Sequence, residues 1–170
     1  KKLLALALTV VAVAIGGQTA SAQGVNDFVI NKFDAKYLID NDVAGGSLLT
    51  TETIDLTFSG QNRGILRVIP GKHQGFDTKL DVQQVERDGK KEEFTTYAEN
   101  GNTVLRIGNP DVYITGKHSY KIVYYQERIM RLDDAQEFYW DVNGTGWSQP
   151  FESVSASVSF KNSQLKPMSP

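Results

Sequence analysis

Apolar residues recur at every second position in segment after segment of this chain, and nowhere beyond residue 22 do they recur at helical spacing. Side chains of an extended strand point alternately to two faces, so a period of two encodes a strand with one buried side. Leu48, Thr50, Glu52, Ile54, Leu56 and Phe58 share one such face. Phe33, Ala35, Tyr37 and Ile39 share another, and the turn-rich stretch 40–46 separates the two. The pair reads as an opening hairpin. Near the end, Val154, Ala156, Val158 and Phe160 alternate with Ser153, Ser155, Ser157 and Ser159. That pattern predicts a strand with one face buried and one face wet.

The middle of the chain continues in the same style. Residues 65–69 form a short apolar run closed by Pro70-Gly71. Leu80 and Val82 alternate, and the phase slips before Val85, which predicts a bulge. Asp88-Gly89 and Asn100-Gly101 have the composition of two-residue hairpin turns. Phe94, Thr96 and Ala98 lead into the second turn, and 103–107 is the return strand. Strands are also expected over 112–114 and 118–131, separated by Thr115-Gly116-Lys117. Phe138, Trp140 and Val142 then alternate up to Asn143-Gly144. About nine such strands are buried most economically as two packed sheets, so the expected fold is an all-β antiparallel sandwich.

Residues 1–22 stand apart. Lys1 and Lys2 precede an uncharged apolar run over 3–15, and Ala20-Ser21-Ala22 supplies the small residues of a signal peptidase site. The run is shorter than the ~20 residues needed to span a bilayer as a helix. A signal peptide over 1–22 is expected, with an uncleaved anchor as the alternative. The sandwich domain then occupies 23–160, and the polar, proline-bearing stretch 161–170 reads as a linker.

With Lys1 and Lys2 gone, 16 of the 18 basic residues remain against 20 acidic ones, a net charge of about −4. A weakly acidic chain with scattered signs lacks the footprint of a nucleic-acid binder. Cysteine is absent and there are only two histidines, which removes disulfides, thiol nucleophiles and multi-histidine metal sites. No cofactor or metal is expected.

A few residues stand out against this background. Glu52 sits in an apolar phase, where an unpaired carboxylate is costly. Arg63 and Arg67 follow after the next turn, so a structural ion pair with one of them is expected; the alternative makes Glu52 the general acid of a glycoside hydrolase. Trp147, Tyr139 and Asn143 mark an aromatic, glycine-rich loop that would offer a binding surface, or would instead close the end of the core. Asp40 with Asp42, and Asp133 with Asp134, lack the spacing of a calcium loop. His73 has no serine or acid at a catalytic spacing.

The order of several motifs resembles one family. Thr51-Glu52-Thr53, Phe58-Ser59-Gly60, Arg63-Gly64-Ile65-Leu66-Arg67-Val68-Ile69-Pro70, His118-Ser119-Tyr120-Lys121-Ile122 and the stretch from Phe138 through Trp140, Asp141 and Gly144 to Trp147 follow in sequence. This series is similar to the N-terminal domain of the DUF2207 family of predicted prokaryotic membrane proteins. The resemblance implies an extracytoplasmic β-domain followed by transmembrane helices, and it assigns no catalytic residues. The resulting expectation is a non-catalytic binding or sensing domain at the cell envelope, exported, with an envelope ligand or protein as partner. A carbohydrate-binding module and a hydrolase using Glu52 are the alternatives.

Overall fold

The computed structural model describes residues 27–41, 43–73, 75–129, 131–132 and 136–161. The expected signal peptide, Asp42, Asp133, Asp134 and all of the tail beyond Lys161 lie outside the described residues. The described residues contain strands and no helix. In chain order the strands are β1 (Phe28–Asp40), β2 (Ser47–Asn62), β3 (Ile65–Pro70), β4 (Lys72–His73), β5 (Phe76–Asp77), β6 (Asp81–Arg87) and β7 (Lys90–Lys91). They continue with β8 (Phe94–Glu99), β9 (Asn102–Ile107), β10 (Ile114–Glu127), β11 (Arg131–Leu132), β12 (Gln136–Glu137) and β13 (Val154–Phe160).

The large sheet has the order β13-β1-β2-β10-β6-β7, and a second sheet has the order β3-β9-β8. Two small hairpins, β4-β5 and β11-β12, stand beside them. The period-two faces read from the sequence become the buried layer. Phe33, Ala35, Tyr37 and Ile39 on β1 and Leu48, Ile54, Leu56 and Phe58 on β2 are buried. They share one apolar cluster with Ile65, Ile69, Leu105 and Ile107 of the three-stranded sheet. Each Leu, Ile or Phe side chain among them contributes about 1.5–3 kcal/mol on burial.

Turn chemistry sets the registers. Asp88 and Gly89 both have positive φ (54° and 75°) between the paired residues Arg87 and Lys90, as a two-residue hairpin demands. Asn100 and Gly101 do the same between Glu99 and Asn102. The slipped phase before Val85 is a bulge, where Val123 pairs with Gln84 and Tyr124 with Val82.

Four expectations need correction. The large sheet is mixed, because β13 runs parallel to β1. β10 ends opposite Ser47, at the Asp40 end of the sheet, whereas β13 starts opposite Phe33, so the chain returns between them and β13 runs parallel to β1. The apolar face of β13 is not buried, since Val154 and Val158 are 45% and 48% exposed. It lies at the sheet edge and carries the same facing as Phe33 and Tyr37, but without their cover. Thr115-Gly116-Lys117 does not break a strand: β10 runs through it with a register shift, and Gly116 takes a φ of 81° there. Finally, 138–142 forms no strand. The carbonyl of Val142 accepts from the Tyr37 hydroxyl and that of Asn143 from Arg67 and Trp147, so side chains satisfy groups that a ladder would have paired.

The long strands define two ends. Asp40 pairs with Ser47 and Ser47 with Glu127 at one end, where Lys161 N–H also bonds to Ile39 O and Gln126 to Pro70 O. Phe28, paired with Phe58, and Gly116 mark the other.

Candidate functional site

Glu52 is wholly buried on β2, between its register partners Ala35 and Ile122. Arg67 projects inward from β3 in phase with Ile65 and Ile69. The two meet as a bidentate pair: Nε donates to Oε2 at 2.8 Å and Nη2 to Oε1 at 2.6 Å. Tyr124, one row along β10, donates its hydroxyl to Oε1 at 2.7 Å. Burial alone would push the arginine's pKa down; the carboxylate beside it overrides that and holds it above its ordinary value. Burial and the Glu52 charge together push the Tyr37 and Tyr124 hydroxyls up, so both remain donors. Arg63 is not part of this cluster. It donates to the Tyr113 hydroxyl at 2.5 Å and lies 4.5 Å over that ring.

The loop over 138–150 is held to this cluster by its carbonyls. Arg67 Nη1 donates to Val68 O at 2.8 Å and to Asn143 O at 3.2 Å. Trp147 Nε1 donates to the same Asn143 oxygen at 2.9 Å. The Trp147 ring is partly buried, edge-on to Phe28 and Phe151, with the Arg67 guanidinium 5.6 Å from its centroid. Trp147 is therefore turned inward and bonded to the backbone carbonyl of Asn143, whereas Tyr139 is 70% exposed. Phe138 and Trp140 stack at 5.8 Å, and Trp140 lies 5.2 Å from His73. Burial pushes the His73 pKa down. Glycine is required where the loop crosses the sheet: a Cβ on Gly146 would stand 2.5 Å from Val68 Cβ.

On the outer face of the three-stranded sheet lies an open groove of about 900 Å³. Leu66, Tyr97, Glu99 and Arg106 of the sheet line it, and so do Arg63 and Tyr113. Gly146, Ser148 and Gln149 of the 138–150 loop also line it, and Trp147 does not. Tyr113, Leu66 and Tyr97 are 55%, 46% and 44% exposed. Asn62, also lining the groove, is buried with no partner for its Nδ2. A period-two pattern could not disclose this site, because its residues come from several separate segments. Leu66, Tyr97 and Arg106 come from short strands and Arg63 and Tyr113 from the segments beside them, and no local pattern joins these positions.

A further polar cluster braces a turn. His118 and Ser119 N–H hold Asp88 in its hairpin; these bonds outweigh burial and keep the Asp88 carboxyl below its ordinary value. No group of three or more metal-ligating side chains occurs among the described residues.

Fold and site together define an all-β domain braced by an internal charge cluster, with an open groove of aromatic and charged residues on its smaller sheet. The chain belongs to the family described as the N-terminal domain of predicted membrane proteins (DUF2207), whose model matches residues 29–167. No curated protein matches it. Among solved structures, an M1 zinc metallopeptidase from Deinococcus radiodurans is 11% identical with a TM-score of 0.45, covering 60% of this chain and 21% of that one. Leukotriene A4 hydrolase from Saccharomyces cerevisiae is 19% identical with a TM-score of 0.40, covering 60% and 15%. The chain thus spans about a fifth or less of these proteins' length, and likeness at this level does not bear on function.

Proposed function

We propose that this is a non-catalytic β-sandwich domain, exported and displayed on the extracytoplasmic side of the membrane, that binds an envelope ligand in the groove of its smaller sheet. The observation that carries the reading is the Arg63–Tyr113 pair beside Arg106 and Tyr97. It offers charge and flat apolar surface in one open depression. Glu52 supports the non-catalytic side. Its two oxygens are taken up by three donors and its side chain is sealed, so it has no route to a substrate. A ligand with an acidic group and an apolar or planar body fits this pair. A carbohydrate ligand is the second reading, favoured by the exposure of Tyr97 and Tyr113.

Retention of the chain on isolated cell-wall material, on an acidic polymer such as polyglutamate and on neutral glycan columns tests both. Arg63→Ala with Arg106→Ala should abolish retention on acidic material and leave the melting temperature unchanged. Tyr97→Ala with Tyr113→Ala should act more strongly on glycan. Retention unaffected by either pair rejects the groove.

A further inference from the structure

Among the described residues nine large hydrophobics are notably exposed, and the two most exposed of these are Tyr139 at 70% and Phe76 at 64%. They are far apart in sequence yet linked in space. Phe76 is the register partner of His73 in the β4-β5 hairpin, and His73 stands against Trp140, the neighbour of Tyr139. This hairpin is tied to the Ser47–Glu127 end of the large sheet, because Thr78 N–H bonds to Gly71 O and Glu127 N–H to Thr78 O. Val158 and Phe160, 48% and 38% exposed, lie on the last turn of backbone before the same end. Phe138 joins them to the loop, since its ring meets Tyr37, the partner of Val158.

The same end is where the chain leaves the domain. Lys161 N–H bonds to Ile39 O, and Lys161 Nζ reaches Asp40 at 2.7 Å. The matching family is described as the N-terminal domain of predicted membrane proteins, and a domain so placed would have its membrane segment on the C-terminal side. We infer that the Lys161 end faces the membrane, and that Phe76, Tyr139, Val158 and Phe160 rest in its headgroup region. Tyr139 has the amphipathic ring that settles at that depth, and Phe76, Val158 and Phe160 gain there by taking apolar surface out of water. Lys72 and Arg128, both exposed at this end, provide cations for lipid phosphates. The exposed apolar edge of β13 then meets lipid, and not only water. The Arg63–Tyr113 pair, beside Phe28, points away from the bilayer. It stands off by up to about 40 Å, the length of a 13-residue strand at ~3.3 Å per residue.

The absence of cysteine makes the test direct. The full chain, carrying a C-terminal hexahistidine tag, is tethered to phosphatidylcholine–phosphatidylglycerol vesicles bearing nickel-chelating lipid. An environment-sensitive fluorophore is placed at Phe76→Cys, Tyr139→Cys or, at the far end, Asp111→Cys. Labels at 76 and 139 should shift to the blue and be quenched by lipids spin-labelled near the headgroup, while the label at 111 should not respond. With the label at Lys72→Cys, adding Phe76→Ser and Tyr139→Ser should lower the quenching several-fold. Equal quenching at 111, no quenching at 76 and 139, or quenching at 72 that survives both serines overturns the inference. In the last case the tether alone brings the end close.

Discussion

Glu52 and Arg67 join the two sheets through a pair of parallel hydrogen bonds, 2.6 and 2.8 Å long, with the carboxylate wholly buried. The geometry is the fork-on-fork arrangement in which arginine and carboxylate satisfy each other best. Tyr124 occupies a further lone pair, and the arginine's other end holds the 138–150 loop. One side chain thereby fixes a strand, a sheet and a loop together.

Arg67→Met should cost about 3–5 kcal/mol, because it leaves a buried carboxylate without its partner. Glu52→Gln should cost a similar amount by stranding the guanidinium. The double variant Glu52→Leu with Arg67→Met should recover most of the loss, measured by urea unfolding. A double variant as unstable as the sum of the singles would mean that the two residues act independently.

Gly146→Ala should lower stability by about 1–3 kcal/mol through overpacking against Val68. Val68→Ala in the same chain should relieve part of that cost. Thermal unfolding of the single and double variants gives the comparison, and an unrelieved loss would locate the problem elsewhere.

His73 has a depressed pKa in the folded chain, caused by burial. The unfolded chain therefore takes up a proton first as the pH falls below 6.5. Stability from this residue is complete above that value and declines as the pH falls toward the folded pKa. His73→Phe should flatten this part of the pH–stability curve. Because His73 lies against Trp140, tryptophan fluorescence should report the transition.

Val158→Ser should change the stability of the untethered chain by no more than about 0.5 kcal/mol, as for other surface positions. Ile39→Ser, on the wholly buried face of the adjacent strand, should cost several times more. Chemical denaturation of the two variants checks the edge position of β13.

Most strands were legible because backbone period and turn chemistry are local. Asp88-Gly89 and Asn100-Gly101 have few alternatives to a tight hairpin, and the slip before Val85 could only be a bulge or a strand end. The anomaly of Glu52 was equally local, whereas the choice between Arg63 and Arg67 rested on which arginine shares the inward phase of β3. Alternation misled at Phe138, Trp140 and Val142, where aromatic side chains pack inward from a loop whose carbonyls are bonded by other side chains. It misled again in β13, because period two says which residues share a face and not whether anything covers it. The groove was not legible, since nothing local couples Arg63 to Tyr113 and Arg106.

The parallel placement of β1 and β13 also determines how the domain carries load. The chain enters β1 at Phe28, at one end of the sheet, and leaves β13 beyond Phe160, at the other. A pull between those points acts along both strands in opposite directions. The backbone bonds between them, in register from Phe33–Val154 to Ile39–Phe160, are then sheared together and not unzipped one at a time. A domain tethered on one side and gripped on the other would resist extension at this seam first, and its mechanical strength would be set by seven residue pairs at the edge of the sheet.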